Sequence, residues 1–460
     1  MKKRILALLM ATVMIVSLTA CSGGASNTVE APAGEATEKA PAGDEVKAPA
    51  GETSEAPATG GGDNKLTVWC WDPAFNIYAM EEAAKEYKKT NPDFELEIVE
   101  IPWQDLQTKL TTAATSNDLA SLPDILLMQD NAFQKNVLVY PEAFTDITNS
   151  GINFGDFAEA KTAYSVVDGK NYGVPFDNGA AVVAYRTDVL EEAGFTLDDF
   201  TDITWDEYIE KGKVVLEKTG KPLNATGAGE SDMIMMMLQS AGSSLFDTEG
   251  NPAMVGNADL EKTMQTYMDL KNSGVMVEVN DWDQYISTFI NGTLAGTING
   301  CWILGSVQVA EDQAGLWGVT NLPSLVGTAG ATNYSNNGGS SWAVTSNCQD
   351  TELAYDFLAK TFAGSVEFYE TILPSSGAIG TYIPAGDSSV YSEPQEFFGG
   401  QAIYALITDF AAKTPSNNTG IYYYEARDAV ATAIQNVANG ADIQTEIQAA
   451  QDMVEFQMSE

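Results

Sequence analysis

Residues 122–130 read Leu122-Pro123-Asp124-Ile125-Leu126-Leu127-Met128-Gln129-Asp130, and the fold is decided there. Pro123-Asp124 punctuates the chain. The apolar residues behind it form a continuous run of the kind that a strand covered on both faces needs. Upstream, Leu66-Thr67-Val68-Trp69-Cys70 is a β-rich run. Met80, Ala83, Ala84 and Tyr87 then have helical spacing, which stops at Asn91-Pro92. Phe94, Leu96, Ile98 and Val99 form a second strand, and Leu106, Leu110 and Ala113 mark a second helix. Strand, helix, strand, helix, strand predicts a parallel doubly wound sheet. Ligands of such sheets bind beyond the carboxyl ends of the strands. Two clusters fall at those ends: Trp71-Asp72 after the first strand and Gln129-Asp130 after the third.

The pattern restarts after residue 172. Val174-Pro175 and Ala181-Val182-Val183-Ala184-Tyr185 read as two strands. Helices are predicted over 188–193, 205–218, 231–240, 259–272 and 282–290, with a strand from Ala295 to Asn299 ended by Gly300-Cys301-Trp302. Ala343-Val344-Thr345 is a short strand, with helices near 351–363 and 365–372, and the C-terminal third is helical over 397–410, 422–438 and 442–457. Two such α/β units predict two lobes facing a cleft. The roughly 400 residues of the body exceed what one core usually supports.

Composition narrows the chemistry. The chain of 460 residues carries 23 Lys plus Arg, 64 Asp plus Glu and no histidine, for a net charge of −41. Such a surface repels phosphate, so no nucleic-acid partner is expected. Without histidine there is no Ser-His-Asp or Cys-His catalytic centre and no His-ligated zinc site. Carboxylate chemistry or binding remains. No EF-hand spacing occurs, and neither a metal nor a cofactor is expected.

The first 64 residues read as an address. Lys2-Lys3-Arg4 precedes an apolar stretch from Ile5 to Leu18 that is too short for a spanning helix and reads as a signal peptide over 1–21. It ends in Leu18-Thr19-Ala20-Cys21, which resembles a bacterial lipobox, with Cys21 as the lipidated residue. Residues 22–64 repeat Ala-Pro-Ala-Gly-Glu/Asp at 31–35, 40–44 and 48–52. A segment so poor in large apolar residues cannot bury a core and is expected to be a disordered tether. Setting Cys21 aside leaves Cys70, Cys301 and Cys348, an odd number that argues against a disulfide framework and for small buried apolar residues.

Several stretches, in order, resemble the extracellular solute-binding proteins of carbohydrate ABC transporters, of the maltodextrin-binding type. They are the 122–130 run, then Tyr172-Gly173-Val174-Pro175, Ala184-Tyr185-Arg186-Thr187-Asp188-Val189-Leu190 and Thr204-Trp205-Asp206-Glu207-Tyr208. Ala241-Gly242-Ser243-Ser244-Leu245-Phe246-Asp247, Thr297-Ile298-Asn299-Gly300-Cys301-Trp302, Gly318-Val319-Thr320-Asn321-Leu322-Pro323 and Tyr422-Tyr423-Tyr424-Glu425-Ala426-Arg427 follow. The family usually has Asn-Lys-Asp after the Tyr185 position; here it is Arg-Thr-Asp. The resemblance covers about 65–460. It implies a type II periplasmic-binding fold, with two α/β lobes, each built on a mostly parallel sheet, closing like a hinge. Carried over, the N-lobe is 65–175 plus 338–385, and the C-lobe is 176–337 plus 386–460. It further implies a monomer on the outer face of a bacterial cell membrane that passes a carbohydrate to a permease powered by a cytoplasmic ATPase.

Sugars present apolar C–H faces to aromatic rings and hydroxyl edges to Asp, Glu, Asn, Gln and Arg. By motif, Trp302 and Tyr423 are the stacking candidates, and Trp71 joins them from its place after the first strand. Trp282 shares a helical face with Tyr285, a spacing that favours core packing, although Trp282 stays among the candidate rings. The polar candidates are Asp72, Gln129, Asp130, Asp177, Asn178, Glu230 and Arg427. The run Met233-Ile234-Met235-Met236-Met237 reads as core filling. An enzyme with paired carboxylates is a different reading, but no motif marks such a pair and no catalysis is expected. A polyamine or other cationic solute on the same fold, and a lipid-anchored adhesion module, are the further alternatives.

Overall fold

The computed structural model describes residues 64–376, 379–415 and 420–459. The expected signal peptide, lipidated Cys21 and tether up to residue 63 lie outside the described residues. The opening run forms β1 (Lys65–Cys70), α1 (Tyr78–Lys88), β2 (Glu95–Glu100), α2 (Trp103–Ser116), β3 (Ile125–Gln129) and α3 (Asp130–Val139). β1 lies between β2 and β3 and pairs with both in parallel. Alternation of strand and amphipathic helix enforces that arrangement, because each parallel return needs a crossover. Met80, Ala83, Ala84 and Tyr87 face the core from α1, as their spacing predicts.

The expected strands at 174–175 and 181–185 are one 14-residue strand, β4 (Gly173–Arg186). Its remaining partners are β5 (Gly296–Gly300), β6 (Trp317–Thr320) and β7 (Asn336–Val344). The hydrogen-bonded order is β2-β1-β3-β7-β4-β6, with β5 also on β4. β7 is antiparallel to both β3 and β4, and β5 and β6 are antiparallel to β4. The parallel character expected of each lobe therefore holds for β1 to β3 and for the separate pair Asn224–Gly227 with Met276–Val279, and not for the strands on β4. Strand and helix order leaves this open, since antiparallel neighbours need no crossover of fixed hand.

β4 changes neighbours midway. Gly173 to Ala180 pair with β7, and Ala181 to Arg186 pair with β5 and β6. Val174 and Phe176 pack into one core with Leu66, Val68, Ile125 and Trp342, while Ala181, Val183 and Tyr185 pack into another with the methionines of α4 (Asp232–Ser240). Met233 to Met237 are all buried there, as core filling requires. β4 and β7 thus run unbroken through positions 175–176 and 337–338, where the lobes are expected to divide. The ladder between them slips register between Asn336 and Gly339 and again between Ser340 and Ser341. Cys70, Cys301 and Cys348 are buried and unpaired.

Candidate functional site

A cavity of about 1230 Å³ opens at the ends of β1, β2 and β3. That exceeds the roughly 300–1,000 Å³ of most small-molecule sites. Its rings form two groups. In one, Trp71 and Trp103 meet edge to face at 5.3 Å, and Trp103 lies 6.3 Å from Tyr424, which opens α6 (Tyr423–Ala438) beside Tyr423. In the other, Trp282, on α5 (Trp282–Ile290), lies 5.8 Å from Trp302. Four of the chain's eight tryptophans therefore line the cavity.

Trp71 and Trp302 are held by local chemistry. Trp71 follows β1 in a turn pinned by Asn76, whose side-chain oxygen accepts from the backbone N–H groups of Trp71 and Asp72, each at 3.0 Å. Asp72 in turn caps the following turn by accepting from Ala74 at 2.9 Å and Phe75 at 3.1 Å. Trp302 donates its indole N–H to the Asn337 carbonyl at 2.9 Å. Gly300 makes this bond possible: a Cβ there would sit 2.2 Å from Nε1 of Trp302 and 2.5 Å from the Asn337 oxygen. Gly179 has the same purpose on β4, with the Asn337 oxygen 2.3 Å from where its Cβ would be.

Polar groups share the wall with the rings. Asp177 is buried on β4, where its Oδ1 accepts from the backbone N–H of Ser340 at 2.8 Å and also from the Ser340 hydroxyl. Burial raises the Asp177 carboxyl above its ordinary value, and burial does the same to Asp72. Arg427 pairs with Asp232 at 2.8 Å. The Tyr424 hydroxyl donates to the side-chain oxygen of Gln129, and Lys135 of α3 pairs with Glu425. These last contacts bridge the cores, because α3 packs with Leu106 and Met128 while α6 packs with the methionines of α4.

Of the expected residues, Trp71, Asp72, Gln129, Asp177, Trp282, Trp302, Tyr423 and Arg427 line this one cavity. Trp282 is 45% exposed at its edge, so the core-packing preference holds for Tyr285 and not for Trp282. Asp130, Asn178 and Glu230 do not line it. Asp130 is buried one layer below, ion-paired with Lys161 and accepting from Ser341 at 3.0 Å. Burial, only partly offset by Lys161, pushes its carboxyl up to about 6. Asn178 follows Asp177 on the strand, so the pleat turns it away from the cavity. Glu230 sits in a turn with its carboxyl folded against Gly227, 2.3 Å from where a Cβ would stand. Trp103, Gln107, Asp232, Asn337 and Tyr424 line the cavity without having been expected. Trp103 had a signal: it follows β2 as Trp71 follows β1. Gly338-Gly339 inside a strand likewise marks a close backbone approach beside Asn337.

Comparisons with known proteins give the family. Residues 82–392 match the model of the bacterial extracellular solute-binding protein family. The lactose-binding protein of Rhizobium radiobacter is 36% identical over 394 residues, covering 86% of this chain and 93% of that protein. The arabinooligosaccharide-binding protein of Halalkalibacterium halodurans is 26% identical over 387 residues, covering 82% and 84%. Among solved structures, the ABC-transporter-associated binding protein of B. animalis subsp. lactis, in complex with β-1,6-galactobiose, superposes with a TM-score of 0.72 at 20% identity over 86% of this chain and 98% of that one. Maltose-bound MalE3 of T. maritima gives 0.69 at 17% identity, over 85% and 99%. These relatives are binding proteins, and the fold is their two-lobe α/β fold. The chain belongs to the bacterial extracellular solute-binding protein family.

Proposed function

We propose that this protein captures a carbohydrate of oligosaccharide size in the cavity between its lobes and delivers it, as a monomer, to an ABC-transporter permease. One observation carries the reading: two groups of indoles on the wall of one cavity that carboxylates and amides also line. Rings stack on the apolar faces of pyranose or furanose units, and the polar groups accept and donate to hydroxyls that would otherwise be buried unpaired. The names of the relatives, which bind lactose and arabinooligosaccharides, point the same way. Micromolar binding needs about −8 kcal/mol, within reach of a few stacked rings and a polar ring of this kind. Lipidation at Cys21 would keep the protein on the outer face of the membrane, near its permease.

A second reading is favoured by the surplus of carboxylates on the cavity wall: a cationic solute such as a polyamine. A thermal-unfolding screen separates the two, because a ligand raises stability by mass action, about 2.7 kcal/mol at a hundred times its dissociation constant. The panel is lactose, galactobiose, arabinotriose, maltotriose and xylotriose, with putrescine and spermidine alongside. A shift with at least one sugar is expected. Shifts with the amines alone would replace the carbohydrate reading by the second.

A further inference from the structure

Lys135 and Arg427 are the cations among the described residues that line the cavity, and each is ion-paired with a carboxylate. Lys135 is ion-paired with Glu425 and lies 4.9 Å from the centre of the Tyr422 ring. Arg427 is ion-paired with Asp232 at 2.8 Å and lies 5.6 Å from the centre of the Tyr424 ring. Asp72, Glu100, Asp177, Asp283 and Asp428 also line the cavity, and none of them has a cation within salt-bridge distance among the described residues. The wall is thus anionic, and both of its cations are committed to neighbours.

Resting on the carbohydrate reading, we propose that Asp232 and Glu425 determine specificity. By neutralising Arg427 and Lys135 they restrict the cavity to sugars without carboxylate or sulfate groups. A uronic or sialylated sugar entering the cavity loses hydration from its charge and meets carboxylates instead of a free ammonium or guanidinium. A neutral hydroxyl meets the same carboxylates as charge-assisted acceptors. The discrimination comes from what repels the wrong ligand as much as from what holds the right one.

The test compares neutral and acidic partners on the full chain by calorimetry: lactose with 3′-sialyllactose, galactobiose with digalacturonic acid, and xylotriose with its glucuronic-acid-substituted form. The neutral member of a bound pair is expected to bind at least about tenfold tighter, with the gap narrowing as salt screens the repulsion. Glu425→Gln and Asp232→Asn each free one cation, and each is expected to narrow the ratio by about tenfold. Rejection by shape alone would leave the ratio unmoved. Both pairs are part-exposed, with side-chain exposures of 29% and 20% for Lys135 and Glu425 and 26% and 28% for Arg427 and Asp232, so the variants are expected to retain the fold. A circular-dichroism melt checks that. Equal binding of acidic and neutral members by the parent overturns the proposal, and so do folded variants with an unchanged ratio. Failure of every neutral sugar in the panel to bind overturns the carbohydrate reading itself, and the proposal falls with it.

Discussion

The indole N–H of Trp302 bonds the backbone carbonyl of Asn337 at 2.9 Å, so a ring of the cavity wall and the glycine-rich start of β7 fix each other. The ring is therefore pre-organised for stacking. Trp302→Ala should weaken sugar binding by about 2 kcal/mol, roughly thirtyfold, as expected of a central aromatic anchor. Trp302→Phe, which keeps a ring and loses the bond, should fall between. Calorimetry showing parental affinity for the alanine variant would remove Trp302 from the site.

Gly300 leaves no room for a side chain between Nε1 of Trp302 and the oxygen of Asn337. Gly300→Ala should lower stability by about 1–3 kcal/mol, the usual cost of overpacking, and weaken sugar binding in the same variant. The melting temperature and the affinity are both measured. A loss of stability with full affinity would show that the bond does not position the ring.

Tyr424 and Gln129 bridge elements that belong to different cores. Tyr424→Phe deletes that bond and keeps the ring. It should release about 0.5–1.5 kcal/mol of contact between the lobes and raise the radius of gyration of the unliganded protein in small-angle scattering. An unchanged scattering curve would show that the bond does not hold the lobes together.

Burial raises Asp130 from 3.8 to about 6. Between those values the folded protein holds a proton that the unfolded chain has released. This contribution to stability is complete below about pH 4 and is lost as pH rises through 6, on the order of 3 kcal/mol. Asp72 and Asp177, also raised by burial, act in the same direction. Asp130→Asn should flatten the fall between pH 4 and 6. It should also cost about 3–5 kcal/mol above pH 6, where Lys161 loses its partner. Urea unfolding at a series of pH values measures both, and a variant that kept the parental slope would refute the assignment.

The first five elements were legible because their apolar residues follow one period at a time. β4 was not, since Pro175 and Gly179 read as breaks. The ladder with β7 carries the strand through both, and a lone sequence does not display its partner. The four-residue strand Asn224–Gly227 lacks the β-branched runs that announce strands. Within the site, the rule that ligands meet strand ends found Trp71, Asp72 and Gln129, and the same rule applied to β2 gives Trp103. It misplaced Asp130, because that residue's setting depends on Lys161, 31 positions away. The pairing of Lys135 with Glu425 spans 290 positions and leaves no local trace at all. Charges could be counted in the sequence, but which of them are spoken for could not.

The eight tryptophans divide evenly. Trp69, Trp205, Trp317 and Trp342 are at most 6% exposed in the cores, whereas Trp71, Trp103, Trp282 and Trp302 line the cavity. The protein therefore carries its own optical gauge. The core indoles emit a constant background, and any blue shift or quenching on adding solute originates in the cavity. Occupancy can be titrated by intrinsic emission, without a dye, and each cavity tryptophan replaced in turn assigns its share of the signal to one ring group or the other.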